Sequence, residues 1–376
     1  MKILLLFPLI LLTNCTQKKK IESEKTFAVD YGIQAFSKLH KENDLIITTF
    51  KKCFNSYTYL DYAQYWQESD TLIFKRPFDD LWLSIEDYYP AYTPTIVSIQ
   101  KKEKDKYLVK IAVMGNPEQF NSLHAIYNFY AIRDNEDIFK FKNVINDNLK
   151  LWNTKTIDNI KYIYPPQNTL NNNEIKKQIE FENNLITKFD FDKINYTYIS
   201  CNSVYEFMKL RGFDYENSMF LNNQKGGVAF TNSQLIFSGN NSEFYPHELV
   251  HLYTYKYFKN INSTINEGFA TYLGGSMELD YLSHIKILKD YLKTSKIDLF
   301  EYLFDDEKKF TIIGNISSIK YSAGALLCDL ADKQNVLNQL LDCGKTDEEL
   351  ILAIESLFDI NRKDFNSFID KKLIDY

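Results

Sequence analysis

Cysteine is scarce in this sequence, with five in 376 residues. That density excludes a small disulfide-stapled scaffold. No two cysteines form a C-x-x-C pair and none sits beside a histidine, so zinc-finger and thioredoxin-like sites are excluded too. A basic excess is also missing: 44 Lys and Arg stand against 50 Asp and Glu, for a net charge of -6. Nucleic-acid binding wants a positive surface, so no nucleic-acid partner is expected. Long apolar runs are absent apart from Ile3 to Leu12, which is far short of the ~20 residues of a membrane-spanning helix. Twelve glycines and eight prolines rule out a collagen-like chain. What is present is ordinary globular material, 45% hydrophobic and 25% charged, in a length that suggests about two domains.

The N-terminus reads Met1-Lys2, the apolar run Ile3 to Leu12, then Thr13-Asn14-Cys15. One positive charge followed by a short apolar run has the form of a signal peptide. The cysteine after Leu-Thr-Asn resembles the lipobox of bacterial lipoproteins, with Asn14 in place of the usual Gly, Ala or Ser. The resemblance implies a signal over 1–14, a lipid on Cys15, and a lysine-rich tether over 15–27. It also implies residence in the bacterial cell envelope, outside the cytoplasm and held to the bilayer by that lipid. The alternative is an ordinary secretory signal cut near Cys15. Cys53, Cys201, Cys328 and Cys343 are expected as small buried apolar residues, although an envelope location would also permit a bridge.

Along the chain, residues 28–152 are expected to form a small α+β domain whose role the sequence does not assign. Helical stretches around Ala35-Phe36-Leu39 and Tyr57 to Trp66 give way to a strand-like pattern from Thr71 to Lys142. Within it, Tyr107 to Val113 and Ala125 to Ile132 are β-branched and aromatic runs, and Arg133 to Asp137 turns the chain into Ile138 to Lys142. By element order this domain resembles the cone-shaped fold of nuclear transport factor 2. A second domain is expected over 153–376. It opens with strand Ile160 to Tyr164, helix Asn171 to Phe189, strand Ile194 to Ile199 and a helix around Val204 to Leu210 that stops at Gly212. A strand from Val228 to Phe237 follows, turning at Gly239. Beyond it the chain reads as mostly helical, so the fold class is α+β.

After that turn comes Tyr245-Pro-His247-Glu248-Leu-Val-His251. Two histidines at i and i+4 lie on one helix face and can place two imidazole nitrogens on one metal. Glu248, about 100° round the helix, is placed to act as a base on an attacking water. Pro246 suits a first helical turn, so this helix should begin just before His247. A catalytic zinc site needs a third protein ligand, and Glu267 in Asn266-Glu267-Gly268-Phe-Ala270-Thr271 offers one. Thr264 to Glu267 also fits a capping box, in which Glu267 would only bond back to the helix start. His40, His124 and His284 have no metal-spaced partner and are expected to be structural or surface residues.

The histidine–glutamate motif, the downstream Asn-Glu-Gly-x-Ala and the strand before them resemble the gluzincin metallopeptidases, in particular the peptidase-like domains of bacterial envelope proteins. The resemblance spans roughly Ile160 to the C-terminus. Its tail includes Tyr321 to Leu330, Thr346 to Phe358 and Asn361 to Leu373, which look like the family's closing helices. It implies a zincin-like fold, with a small mixed sheet and a helical lobe. It also implies Zn²⁺ held by His247, His251 and Glu267, Glu248 as general base, and a peptide or protein substrate lying along the strand before the metal helix. Tyr321 is the candidate donor to the developing oxyanion; its alternative is a core tyrosine. One departure stands out: the family's carboxylate one turn after the glutamate ligand is here Thr271. Glu278 or Asp280 are the candidates to orient a zinc histidine instead. The other functional readings are a non-enzymatic envelope lipoprotein with a structural zincin domain and a binding N-terminal domain, and a hydrolase acting on non-peptide bonds.

Overall fold

The computed structural model describes residues 27–37, 39–56, 59–73, 92–115, 122–216, 219, 226–305, 308–309, 312–313 and 316–376. The expected signal peptide and Cys15 lie outside them. The chain is α+β. Strand β1 (Ala28–Val29) leads into helices α1 (Tyr31–Ser37), α2 (Lys41–Phe54), α3 (Tyr59–Ala63) and α4 (Glu68–Ile73). Strands β2 (Tyr92–Glu103), β3 (Lys106–Gly115), β4 (Leu123–Asn135) and β5 (Ile138–Asn143) follow, then α5 (Ile145–Asn148). Next come β6 (Asn153–Ile157), β7 (Ile160–Tyr164), α6 (Asn172–Phe189), β8 (Tyr196–Ser200), α7 (Val204–Arg211), β9 (Phe213–Glu216), β10 (Gly227–Phe230) and β11 (Leu235–Ser238). The rest is α8 (Pro246–Tyr257), α9 (Ser263–Gly274), α10 (Tyr281–Thr294), α11 (Leu299–Phe304), the short pair β12 (Ile312–Ile313) and β13 (Ser317–Ser318), then α12 (Ile319–Lys333), α13 (Leu337–Leu341), α14 (Asp347–Phe358) and α15 (Phe365–Leu373).

The first sheet runs β1-β2-β3-β4-β5, with β9 also paired to β4. Its residues alternate as a half-buried sheet must. Tyr107, Val109 and Ile111 of β3 are buried, while Leu108 and Lys110 face the other way. The buried face packs on α2 and on the residues after α3, where Phe50, Trp66, Phe129 and Phe141 form a cluster of ring contacts with centroids 4.9–6.3 Å apart. The helical stretch runs past the expected switch at Thr71, since α4 continues to Ile73.

The second sheet has the order β10-β11-β8-β7-β6, parallel at β11/β8 and β8/β7 and antiparallel at its two ends. The single strand expected from Val228 to Phe237 is a hairpin. Thr231–Ser233 form one turn of 3-10 helix and Gln234 takes a left-handed conformation (φ 51°), which reverses the chain. Both faces of this sheet are covered. Tyr196, Tyr198 and Ile236 enter the core of the helical lobe, whereas their neighbours Ile199, Leu235 and Phe237 enter the core of the first sheet. The first core also takes Phe207, Leu210 and Phe213 from α7 and β9. A boundary at 152/153 in sequence is thus crossed in space.

Local signals set the helices that matter. Asn171 caps α6, its side chain accepting from the Asn173 N–H, and α7 ends at Gly212 with φ 112°. Pro246 occupies the first turn of α8, as the sequence predicts. Thr346 and Glu349 form a capping box at the start of α14. Cys53, Cys201 and Cys328 are buried free thiols and Cys343 is a half-buried one. Burial pushes Cys53 up to about 12 and Cys343 up to about 11, so neither is an activated nucleophile.

Candidate metal centre

Helix α8 carries His247, Glu248 and His251, all nearly buried. Helix α9 packs beside it, because its end lacks a side chain where the two meet: a methyl on Gly274 would lie 2.6 Å from the His247 backbone nitrogen. Gly268, earlier in the same helix, faces α12 instead. There a methyl would lie 2.7 Å from the Gly324 Cα. One glycine of α9 therefore sets its distance to α8 and another its distance to α12.

The capping-box reading of Glu267 fails. Helix α9 is capped by Asn262, whose side chain accepts the Thr264 N–H at 2.8 Å, and Glu267 lies beyond the first turn. Its carboxylate Oε2 lies 3.3 Å from His247 Nε2 and 3.6 Å from His251 Nε2. The three ligand atoms lie within 4.8 Å of one another. Around a tetrahedral zinc with bonds of about 2.0–2.1 Å, adjacent ligand atoms stand roughly 3.3–3.4 Å apart, so the two His–Glu spacings match tetrahedral edges. On the other side of the ring, His247 Nδ1 lies 2.7 Å from the Gly275 carbonyl. A carbonyl can only accept, so Nδ1 carries a proton and Nε2 is the ring nitrogen turned toward Glu267. Two imidazole Nε2 atoms converging on one carboxylate oxygen make a donor set that fits a metal ion.

The electrostatics agree. Burial alone would raise Glu267, but His251 and His247 hold its carboxyl well below the ordinary range. Burial alone would depress His251, yet the Glu267 charge lifts it to about 9. Each group favours the charged form of the other.

Helix α12 brings Tyr321 to the same place. Its ring centroid lies 6.2 Å from that of His247. Burial first, then the charges of Glu267 and Glu248, push its phenol above the usual value. The N-cap residue Tyr245, which the sequence did not single out, is raised in the same way by burial and by the Glu248 charge. Its ring lies over Gly227, where a methyl would come 3.2 Å from the Tyr245 Cδ1. Of the two carboxylates offered to orient a zinc histidine, Asp280 caps α10, accepting the Ser283 N–H at 2.9 Å. The backbone carbonyl of Gly275 does the orienting of His247 in its stead. The Gly274-Gly275 pair signals a helix end, but a carbonyl leaves no trace in side-chain identity. His284 is a buried structural residue: its Nδ1 meets the Ser317 hydroxyl at 2.6 Å and its Nε2 the Ser276 carbonyl at 3.0 Å. Burial lowers its pKa.

Scanned against models of known protein families, the chain matches none, and a search of curated proteins finds no match to it either. The resemblance to gluzincins thus rests on the site residues themselves. A His-His-Glu cluster able to hold a metal ion is the firm result.

Proposed function

We propose that this protein is a zinc-dependent peptidase of the gluzincin type. The observation that carries the reading is the meeting of His247, His251 and Glu267, both His–Glu spacings near a tetrahedral edge, with Glu248 buried beside them. Those three residues would hold the zinc, which when bound supplies Lewis acidity and lowers the pKa of water toward about 7. Glu248 takes the proton of the attacking water at its carboxylate and passes it to the leaving amine. Tyr321 donates its hydroxyl to the carbonyl oxygen as charge grows there. Among the described residues strand β10 is an edge of the second sheet, paired on one side only, and an extended substrate adds to it as a further strand. A purely structural metal site has no need of a buried base, which favours the enzyme over the binding-protein reading.

In the same proposal the protein is a lipoprotein of the bacterial envelope, anchored through Cys15. Among the described residues no helix is long and apolar enough to cross a membrane. The deciding experiment is zinc analysis of purified protein alongside peptide-library cleavage. His247→Ala should lose stoichiometric zinc, whereas Glu248→Gln should keep zinc and fold and lose about 10²–10⁴ in rate. Full zinc retention by His247→Ala would remove the metal site. Equal turnover by wild type and Glu248→Gln would remove the base.

A further inference from the structure

A second site lies away from the metal cluster. A cleft of about 540 Å³ opens between the outer face of the first sheet and the segment from α7 to β9. That volume falls within the range of small-ligand sites, about 300–1,000 Å³. Its floor is the face of β3 and β4 opposite the core, where Leu108 stands across from Tyr130 and Lys110 across from Asn128. Its walls include Trp152, Glu206 and Lys209. Gly212, whose left-handed turn sends α7 into β9, holds the wall against the floor: its carbonyl accepts from the Asn128 backbone N–H at 2.8 Å and from Asn128 Nδ2 at 2.9 Å.

The chemistry of the lining narrows the ligand. Lys110 and Lys209 both pair with Asp214, the latter at 2.9 Å, yet their side chains stay 34% and 39% exposed and that of Asp214 32%. Each ammonium has three N–H donors and only part of them is used. With Glu206 the cleft holds two cations and two anions, so a charged ligand would gain from one pair and lose to the other. Donors and acceptors stand side by side, which suits hydroxyl groups because each can do both. Two aromatic rings offer flat apolar faces; one side of Tyr130 is covered by Lys106, 4.1 Å from its centroid, while Trp152 lines the cleft half-buried. Strands β3 and β4 are each paired on both sides, so the floor has no open backbone row for a peptide to join.

We propose that this cleft binds a neutral saccharide, one or two sugar rings of a glycan. A sugar face rests on Trp152, and its hydroxyls accept from Lys110 and Lys209 and donate to Asp214. The site is independent of the metal centre. The test is titration of the full-length mature protein with maltose, cellobiose, mannobiose and N,N′-diacetylchitobiose, followed by calorimetry and tryptophan fluorescence. At least one should bind saturably, at least tenfold more weakly to Trp152→Ala and to Lys209→Gln, and equally well to His247→Ala. Circular dichroism checks that each variant is folded, and the exposed Lys209 serves if Trp152→Ala is not. Failure of all four sugars to bind, or equal binding by wild type and the folded variants, overturns the proposal.

Discussion

Gly268 and Gly324 bring the backbones of α9 and α12 into contact, with no room for a methyl group between them. Glu267 immediately precedes the first glycine, and Tyr321 lies three residues before the second. The contact therefore sets how far the ligand carboxylate stands from the tyrosine hydroxyl.

Substituting Gly268 by Ala should tell at both levels. Its Cβ would meet Gly324 backbone atoms, which cannot swing aside as a flexible side chain can. Overpacking of this kind typically costs about 1–3 kcal/mol. Urea unfolding should show that loss, and zinc affinity should fall with it as Glu267 is pushed off its position. Wild-type stability and affinity would mean that the helices can separate freely.

Tyr321→Phe tests the oxyanion role. With the hydroxyl gone and the ring retained, zinc content should stay whole and the transition state should lose about 2.7–4 kcal/mol, the usual cost of one oxyanion donor. A variant with unchanged kcat/KM would return Tyr321 to a packing role.

Asp70 predicts a pH effect in the other half of the molecule. It is fully buried, its Oδ2 accepts the Asn143 N–H, and its Oδ1 has no hydrogen-bond partner among the described residues. Burial raises it from 3.8 to about 6, against the opposing pull of the Asn143 N–H and Lys142. Between those values the folded chain holds a proton that the unfolded chain has released. This contribution to stability is complete below about pH 4 and is lost as pH rises through 6, by up to about 3 kcal/mol for two pKa units. Asp70→Asn removes the dependence. The stability difference between wild type and variant should shift against wild type from pH 4 to 7; a constant difference would contradict the assignment.

Mass spectrometry of the mature N-terminus decides the anchor. The expected species begins at Cys15 and carries several acyl chains, because one chain alone holds a protein only marginally to a bilayer. An unmodified N-terminus beyond Cys15 would make the protein a freely secreted one.

How much of this was legible in the sequence depended on where the information sits. The start of α8 followed from Pro246, and the stop of α7 from Gly212, because backbone preference acts within a residue or two. The hairpin at Thr231–Ser233 was read through as one strand, although Thr231 to Gln234 is a polar break between two apolar stretches, since Gln234 adopts a left-handed conformation that its side chain does not advertise. Strand β9 was missed for a different reason. Its partner β4 lies more than 80 residues earlier, and nothing in Phe213–Glu216 itself says which sheet it joins. At the candidate metal centre the three residues that cluster could be named from spacing and type. The orienting Gly275 carbonyl could not, because any residue carries one.

The second sheet has a consequence for how the molecule comes apart. Along β8, Tyr198 is rooted among the helices of the metal centre and Ile199, the next residue, among the aromatics of the first sheet. Neither half can melt without stripping one side of this shared wall, so heating should give a single cooperative transition. A metal bound at α8 and α9 would then protect the distant N-terminal core as well, by mass action on the common native state.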